Sequence, residues 1–344
     1  MNTQAPPPAP DWFRETKQFE KPSLPRAVWQ LVNTVVPLAL CWTAIIWLQH
    51  SDGPYYLTVM AAIPCSLLLV RLFIVFHDCT HGSYFKNQGA NATLGWIIGI
   101  VMFTAYRDWR RSHGIHHATN GNLDRRSLGE IWTLTVEEYQ AASPAMRMWY
   151  RIYRHPVVLF LIAPLVLFLF VNRLPSRTSP PKERRGVWLT NLGVAAVVAA
   201  LGFFSGWDHL LFVYLPIFYV TWIIGLWLFY VQHQFDPGYW EREDEWDHIS
   251  AALQGSSHYK LPKILQWFSG NIGLHHIHHL RPRIPNYNLE RCYRAVKELQ
   301  LPDPLTIWKS LKSVTLNLWD EQRKTLITFS EAARLKRNIV PDMS

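Results

Sequence analysis

AAIPCSLLLVRLFIVFHDCTH (61–81) is an apolar run that passes, without a helix-breaking interruption at its end, into two histidines four residues apart. A helix continuing through it places His77 and His81 on one face, because side chains at i and i+4 stack above one another. The run opens near residue 55, so the helix is long enough to cross the roughly 30 Å apolar layer of a bilayer before the histidines are reached. Chemistry at the end of a membrane-spanning helix is the first expectation for this chain.

Outward from that stretch, apolar runs at 27–48, 55–76, 187–204 and 209–231 read as transmembrane helices. TLGWIIGIVMFTAY (93–106) is too short to cross comfortably, and VVLFLIAPLVLFLFVN (157–172) is short and broken by Pro164. Both are expected to be re-entrant or interfacial. The connections QHSDGP (49–54) and SGWDHL (205–210) carry no Lys or Arg, whereas 106–126 and 173–186 are rich in both. The positive-inside rule puts the basic segments in the cytoplasm. With four crossings and two segments that do not cross, the histidine clusters at 77–81, 113–117 and 275–279 all emerge on that cytoplasmic face. The predicted fold class is an all-α integral membrane protein with four transmembrane helices, two re-entrant or interfacial apolar segments and a cytoplasmic helical cap over a metal site.

The N-terminal residues 1–26, polar and Pro-rich, lack the apolar core of a signal peptide and read as a disordered cytoplasmic tail. Residues 27–344 are expected to form a single domain, its membrane part over 27–231 and its cap mainly over 106–156 and 232–344. Within the cap, NLERCYRAVKELQ (288–300) and PLTIWKSLKSVTLNLWDEQRK (304–324) show amphipathic helical patterning. Many of the 17 tryptophans sit at the ends of apolar runs, where headgroup-level rings belong. The net charge of +9 favours anionic headgroups or an acidic protein partner, and no nucleic-acid motif accompanies it. Four cysteines without paired spacing give neither a disulfide framework nor a zinc ribbon.

HGIHH (113–117) and HHIHH (275–279) each place histidines at i, i+3 and i+4. With 15 histidines in 344 residues, two such triplets arise by chance on the order of once in a thousand chains. Imidazole suits zinc, copper, iron and nickel, and the eight residues His77, His81, His113, His116, His117, His275, His278 and His279 are too many for one ion, so two metals are implied. Zinc ordinarily takes three or four ligands, often with Cys, which favours iron. His233, in YVQHQFD just past the last span, adds a ninth donor on the same face. His276 falls on the wrong side of its helix, His50 and His209 on the other membrane face, and His155, His248 and His258 stand alone. Asp78, Asp108 and Asp124 are candidates to orient a metal-bound imidazole through its second ring nitrogen.

HDCTH, HGIHH and HHIHH resemble the three histidine boxes of the membrane fatty acid desaturases, and the resemblance spans 77–279. WRRSHGIHHATNGNLDRR (109–126), IWTLTVEEY (131–139) and GNIGLHHIHHLRPRIPNYNL (270–289) are similar to the bacterial acyl-lipid branch related to the omega-6 and omega-3 enzymes. The resemblance implies that the eight box histidines and His233 ligate two irons. Phe229 stands where stearoyl-type enzymes have an asparagine, which disfavours that branch. No HPGG marks a fused cytochrome b5 domain, so electrons would come from a separate donor, by resemblance a ferredoxin. The expected activity is O2-dependent insertion of a cis double bond into a lipid acyl chain at the bacterial inner membrane.

Trp96, Tyr106, Trp109, Trp227 and Phe229 are candidate walls of the acyl tunnel. The rival enzymatic reading is a di-iron hydroxylase or carotenoid ketolase, although the NYxEHYG element of alkane hydroxylases is absent. A metal-ion transporter is a remote alternative, because the spanning runs carry almost no ionisable residues.

Overall fold

The computed structural model describes residues 10–51, 54–126 and 130–339, with side chains through 335. Two helices of 27 residues, α1 (Leu24–His50) and α2 (Tyr55–His81), form an antiparallel pair. At 1.5 Å per residue each is about 40 Å long, more than a bilayer's apolar layer requires. Val28, Val32, Val36 and Leu40 line an exposed face of α1. Such a face has no place in water and is ordinary against lipid. α2 is the central pillar, buried almost continuously from Cys65 to Thr80. Gly82, at φ +65°, ends it, and the N–H groups of Gly82 and Ser83 return to the carbonyls of Cys79 and Asp78. This left-handed cap suits a residue without Cβ and fixes the turn that carries His81.

The first short apolar segment becomes α3 (Gln88–Val101), joined to α4 (Tyr106–Thr119) by a bend of 101°. The corner closes on Gly99, where a Cβ would come within 2.5 Å of the Thr104 carbonyl oxygen. The chain leaves the histidine end of α2, runs out along α3 and comes back to that end on α4. After α5 (Pro144–Arg154), the second short segment breaks into a π-helical turn at Val158–Ile162, a helix at Ala163–Leu169 and a 3-10 turn at Val171–Arg173. It is bent by 62° from α5. α6 (Pro181–Ser205) and α7 (Trp207–His233) supply the other two apolar helices of spanning length. Tyr214, Ile217, Phe218 and Trp222 of α7 share one apolar core with Cys65, Leu69, Leu72 and Phe76 of α2.

The cap carries the third histidine cluster on α8 (His275–Leu280), followed by α9 (Asn286–Ala295). Among the described residues its strands are two or three residues long: β1 (Leu134–Thr135), β2 (Tyr259–Lys260), β3 (Leu305–Thr306), β4 (Leu318–Asp320) and β5 (Thr325–Ile327). They pair as β1-β4-β5 and β2-β3. The stretch 304–324, helical by its periodicity, therefore divides into a six-residue helix, Ile307–Lys312, between β3 and β4. Leu318 faces Ile327 across the β4–β5 ladder, a tertiary pairing that overrides the local pattern.

The expected disordered tail is corrected from residue 11 onward; residues 1–9 lie outside the described residues. Asp11–Glu15 and Thr16–Glu20 are helical, and Phe19 is buried with Ile277, Leu280 and Ile284. Arg281 lies over the Phe13 ring at 3.9 Å, donates to Thr16 Oγ1 and pairs with Glu20. Three aromatics, Trp12, Phe13 and Phe19, bury enough surface to order a segment whose prolines suggested otherwise.

Candidate metal centre

Four helices bring nine imidazoles to one buried place. α2 supplies His77 and His81 in its last turn, α4 supplies His113, His116 and His117, the end of α7 supplies His233, and α8 supplies His275, His278 and His279. The side chains divide into two groups, His77, His81, His113, His117 and His278 in one, His116, His233, His275 and His279 in the other. Within each group one ring nitrogen per residue lies within 4.8 Å of all the others. Each HxxHH motif is split: its i and i+4 histidines go to one group and its i+3 histidine to the other. On a helix the i+3 and i+4 directions diverge by about 100°, so neighbours such as His116 and His117 aim at two separate points.

The nitrogens approach one another directly. His113 Nε2 is 3.0 Å from His77 Nε2 and 3.1 Å from His117 Nε2, and His278 Nε2 is 3.0 Å from His117 Nε2. His233 Nε2 stands 3.1 Å from His116 Nε2 and 3.0 Å from His275 Nε2. A metal–imidazole bond of about 2.1 Å puts two ligands at right angles about 3.0 Å apart, so these spacings fit a shared ion. Among the described residues His81 Nε2 and His279 Nε2 are buried without a hydrogen-bond partner, a costly state that a bound cation would relieve. Burial, and then the neighbouring imidazoles, push His113, His117, His275, His278 and His279 far below the usual histidine range. Burial alone takes His116 to about 3. All six are neutral near pH 7, the form that ligates.

Of the three aspartates expected to orient an imidazole, the structure brings one to the site. Asp78 Oδ1 lies 3.3 Å from His77 Nδ1, while its Oδ2 accepts from the Asn286 backbone N–H at 2.6 Å and from Asn286 Nδ2 at 2.8 Å. Asp108 accepts instead from Ser179 Oγ, and Asp124 pairs with Arg242. His233 Nδ1 faces the Gly255 carbonyl at 3.3 Å. Sequence reasoning missed Glu130, whose Oε1 is 3.6 Å from His116 Nδ1, because a lone acid in a loop has no spacing signal. It also missed Asn286, although the motif stretch through 289 contains it. His276 turns away and donates from Nε2 to the Leu299 carbonyl at 2.9 Å. The rings of His50 and His209 lie 6.4 Å apart at the opposite end of the helices.

The five aromatics separate by position. Trp109 stacks on His113 with centroids 4.1 Å apart, and Phe229 lies 5.3 Å from both His116 and His233. Phe229 also lines a small cavity with His116, Asn120, Glu130 and Trp240. Tyr106 is buried and donates to the Cys79 carbonyl, and Trp227 donates to Tyr259 Oη at 3.4 Å. Trp96, 39 % exposed on α3, makes no ring contact with the histidines among the described residues.

Residues 54–310 match the family model described as fatty acid desaturase. The chain is 41 % identical over 329 residues to a fatty acid desaturase of Bacillus subtilis (strain 168), covering 96 % of this chain and 93 % of that one. It is 30 % identical over 246 residues to an sn-1 acyl-lipid omega-3 desaturase (ferredoxin) of Synechocystis, covering 67 % and 65 %. A protein of the same description from Nostoc is 30 % identical over 260 residues, covering 70 % and 68 %.

Proposed function

Because this chain belongs to the fatty acid desaturase family, oxidoreductases of lipid metabolism, we propose that its two histidine groups hold two iron ions and that it inserts a cis double bond into a lipid acyl chain using O2 and a ferredoxin-type electron donor. The observation that carries this reading is the gathering of five and four imidazoles, each set within 4.8 Å, at the ends of membrane-length helices. The reaction balances as one O2 reduced to two waters. Two electrons and two protons come from adjacent methylenes as two hydrogen atoms, two electrons from the donor and two protons from water. Bound iron supplies the redox chemistry that cleaves an unactivated C–H bond, which no side-chain acid or base can do.

The protein's own residues prepare that chemistry. The six imidazoles of α4 and α8 are buried neutral and need no deprotonation to bind a cation. Asp78, held by two hydrogen bonds from Asn286, fixes the His77 ring. Trp109 and Phe229 wall the imidazoles on two sides, while α8 and the N-terminal helices cover them from the cap and exclude water. Retention of oxidising equivalents depends on that exclusion.

The histidine end belongs to the cytoplasmic face of a bacterial inner membrane, since the basic segments 106–126 and 173–186 flank it and the uncharged connections lie at the other end. The "ferredoxin" in the names of the Synechocystis and Nostoc relatives supports the donor class. The transporter alternative loses ground because the nitrogens sit beyond the spans rather than along them.

Expression in a bacterial host of defined lipid composition should yield acyl chains two mass units lighter. Ozonolysis-linked mass spectrometry should place one new double bond in them. Hydroxylated chains eighteen mass units heavier than the olefin would replace desaturation by the hydroxylase reading; unchanged chains from iron-loaded protein with reduced ferredoxin would remove both. Asp78→Asn, nearly isosteric, puts an amide against the Asn286 donors and loosens His77. A fall of about 10–100-fold in iron affinity is expected, read by chelator competition with helix content unchanged.

A further inference from the structure

Three of the four histidine-bearing helices are walled in at the level of their imidazoles. Residues 74–80 of α2, 230–233 of α7 and 275–280 of α8 are buried on every side. α4 differs. His113, His116 and His117 are buried on its inner side, while Gly114, Ile115 and Ala118 between them are exposed. A methyl group added at Gly114 would meet nothing within 4 Å among the described residues. A single helix, about 10 Å across, is all that separates this surface from the imidazoles of His113, His116 and His117 and the ring nitrogens they face.

The same face is rimmed with positive charge. Arg107 projects from the start of α4 on this face and is exposed, while Arg110, also exposed, lies two turns before His117 on the histidine side. Arg107 packs over Gly186 of α6, whose first turns expose Lys182, Arg184 and Arg185. The acids in this neighbourhood are Asp108 and Glu183, and Asp108 is occupied by Ser179 Oγ at 2.6 Å. Among the described residues, none of Arg107, Arg110, Lys182 or Arg185 forms an ion pair, although other arginines of the cap do. A small, nearly flat centre with an unneutralised basic rim suits a brief encounter with an acidic protein: the rim steers and the centre permits close approach.

We propose that the outer face of α4, together with the first turns of α6, is the docking surface for the electron donor, an acidic one-electron carrier of the ferredoxin type. This rests on the donor class given above and adds the place where the donor binds. Each double bond consumes two electrons, so the carrier docks twice per turnover. Each time it leaves oxidised, having passed one electron through α4 to the centre. Arg107, Lys182 and Arg185 set the orientation, and Gly114 sets the distance.

The test uses the full-length protein in lipid nanodiscs and a plant-type [2Fe–2S] ferredoxin as probe. Binding is measured at low and at physiological salt, and reduction by stopped flow. Charge reversal at Arg107→Glu, Lys182→Glu and Arg185→Glu together should weaken binding and slow reduction about tenfold or more at low salt, and flatten the salt dependence. Turnover driven by dithionite-reduced methyl viologen, which needs no docking site, should stay at the parent level. So should ferredoxin binding by the metal-free protein relative to the loaded one. Arg291→Glu, Arg294→Glu and Lys297→Glu together, exposed on α9 and the turn after it, reverse the same number of charges as a control and should bind like the parent.

Equal ferredoxin binding by the α4 variant and the parent overturns the assignment, as does an equal loss in the α9 control. Loss of activity that follows the anionic lipid content of the nanodisc, with ferredoxin binding intact, overturns it in favour of a headgroup contact. A parent that runs on methyl viologen but takes no electrons from ferredoxin sinks the donor class itself, a failure distinct from misplacing the surface.

Discussion

His278→Ala is expected to abolish double-bond formation and to strip bound iron from the protein. His278 Nε2 stands 3.0 Å from His117 Nε2, and its ring centroid lies 4.3 Å from that of His77, so it joins contributions from α2, α4 and α8 in one group. Its removal takes away a donor rather than a donor's support. The loss should exceed the roughly 10–100-fold that follows from disturbing an outer hydrogen bond. Iron per chain by plasma emission spectrometry, together with the lipid profile, is the measurement. His116→Ala should behave alike through the other group. His209→Ala is the control: 24 residues before His233 on α7, it lies about 36 Å away along the helix and should retain both iron and activity. Wild-type turnover by His278→Ala would refute its membership of the centre.

Arg154→Ala should produce the largest loss of stability outside the histidines. Arg154 is fully buried at the end of α5 and meets carbonyls, a hydroxyl and an amide rather than a carboxylate. Nη2 donates to the Leu316 carbonyl at 2.6 Å, to Gln234 Oε1 at 3.0 Å and to Tyr230 Oη at 3.2 Å, and Nη1 reaches the Trp132 carbonyl at 3.3 Å. One guanidinium thus ties the loop after α4, the end of α7 beside His233 and the C-terminal cap. Truncation opens a cavity and leaves several buried acceptors unmatched, at a cost of about 3–5 kcal/mol. Thermal unfolding in detergent should show a drop of several degrees or more. Arg154→Lys should recover little of it, since one ammonium cannot span the fork. A midpoint within a degree of the parent would show that the network is dispensable.

The four spanning helices were legible because lipid demands an apolar surface over a fixed length, and that demand is written residue by residue in runs such as 61–81. Eight of the nine histidines were legible for a similar reason, since ligands on one helix must recur at 3 and 4, and His233 by its place just past the last span. The division into groups of five and four also follows from that spacing, but only once the helices are docked does it become visible which i+3 histidine meets which i,i+4 pair. Glu130 and Asn286 reach the site through loop and helix placements that no local pattern encodes. Phe19 and Phe13 were hidden by prolines: composition reported a tail, whereas three aromatics in ten residues form a strap across α8. The strands of the cap, two or three residues each, are made by pairing with distant segments and carry no period of their own.

The splitting of the HxxHH motifs has a mechanical consequence. α4 and α8 each lend side chains to both groups, so neither helix can settle around one cation without also setting the angle it presents to the other. With one iron in each group, as proposed, the first ion to arrive would order rings for both, so loading is expected to be cooperative, with half-filled protein scarce when iron is titrated into the metal-free chain.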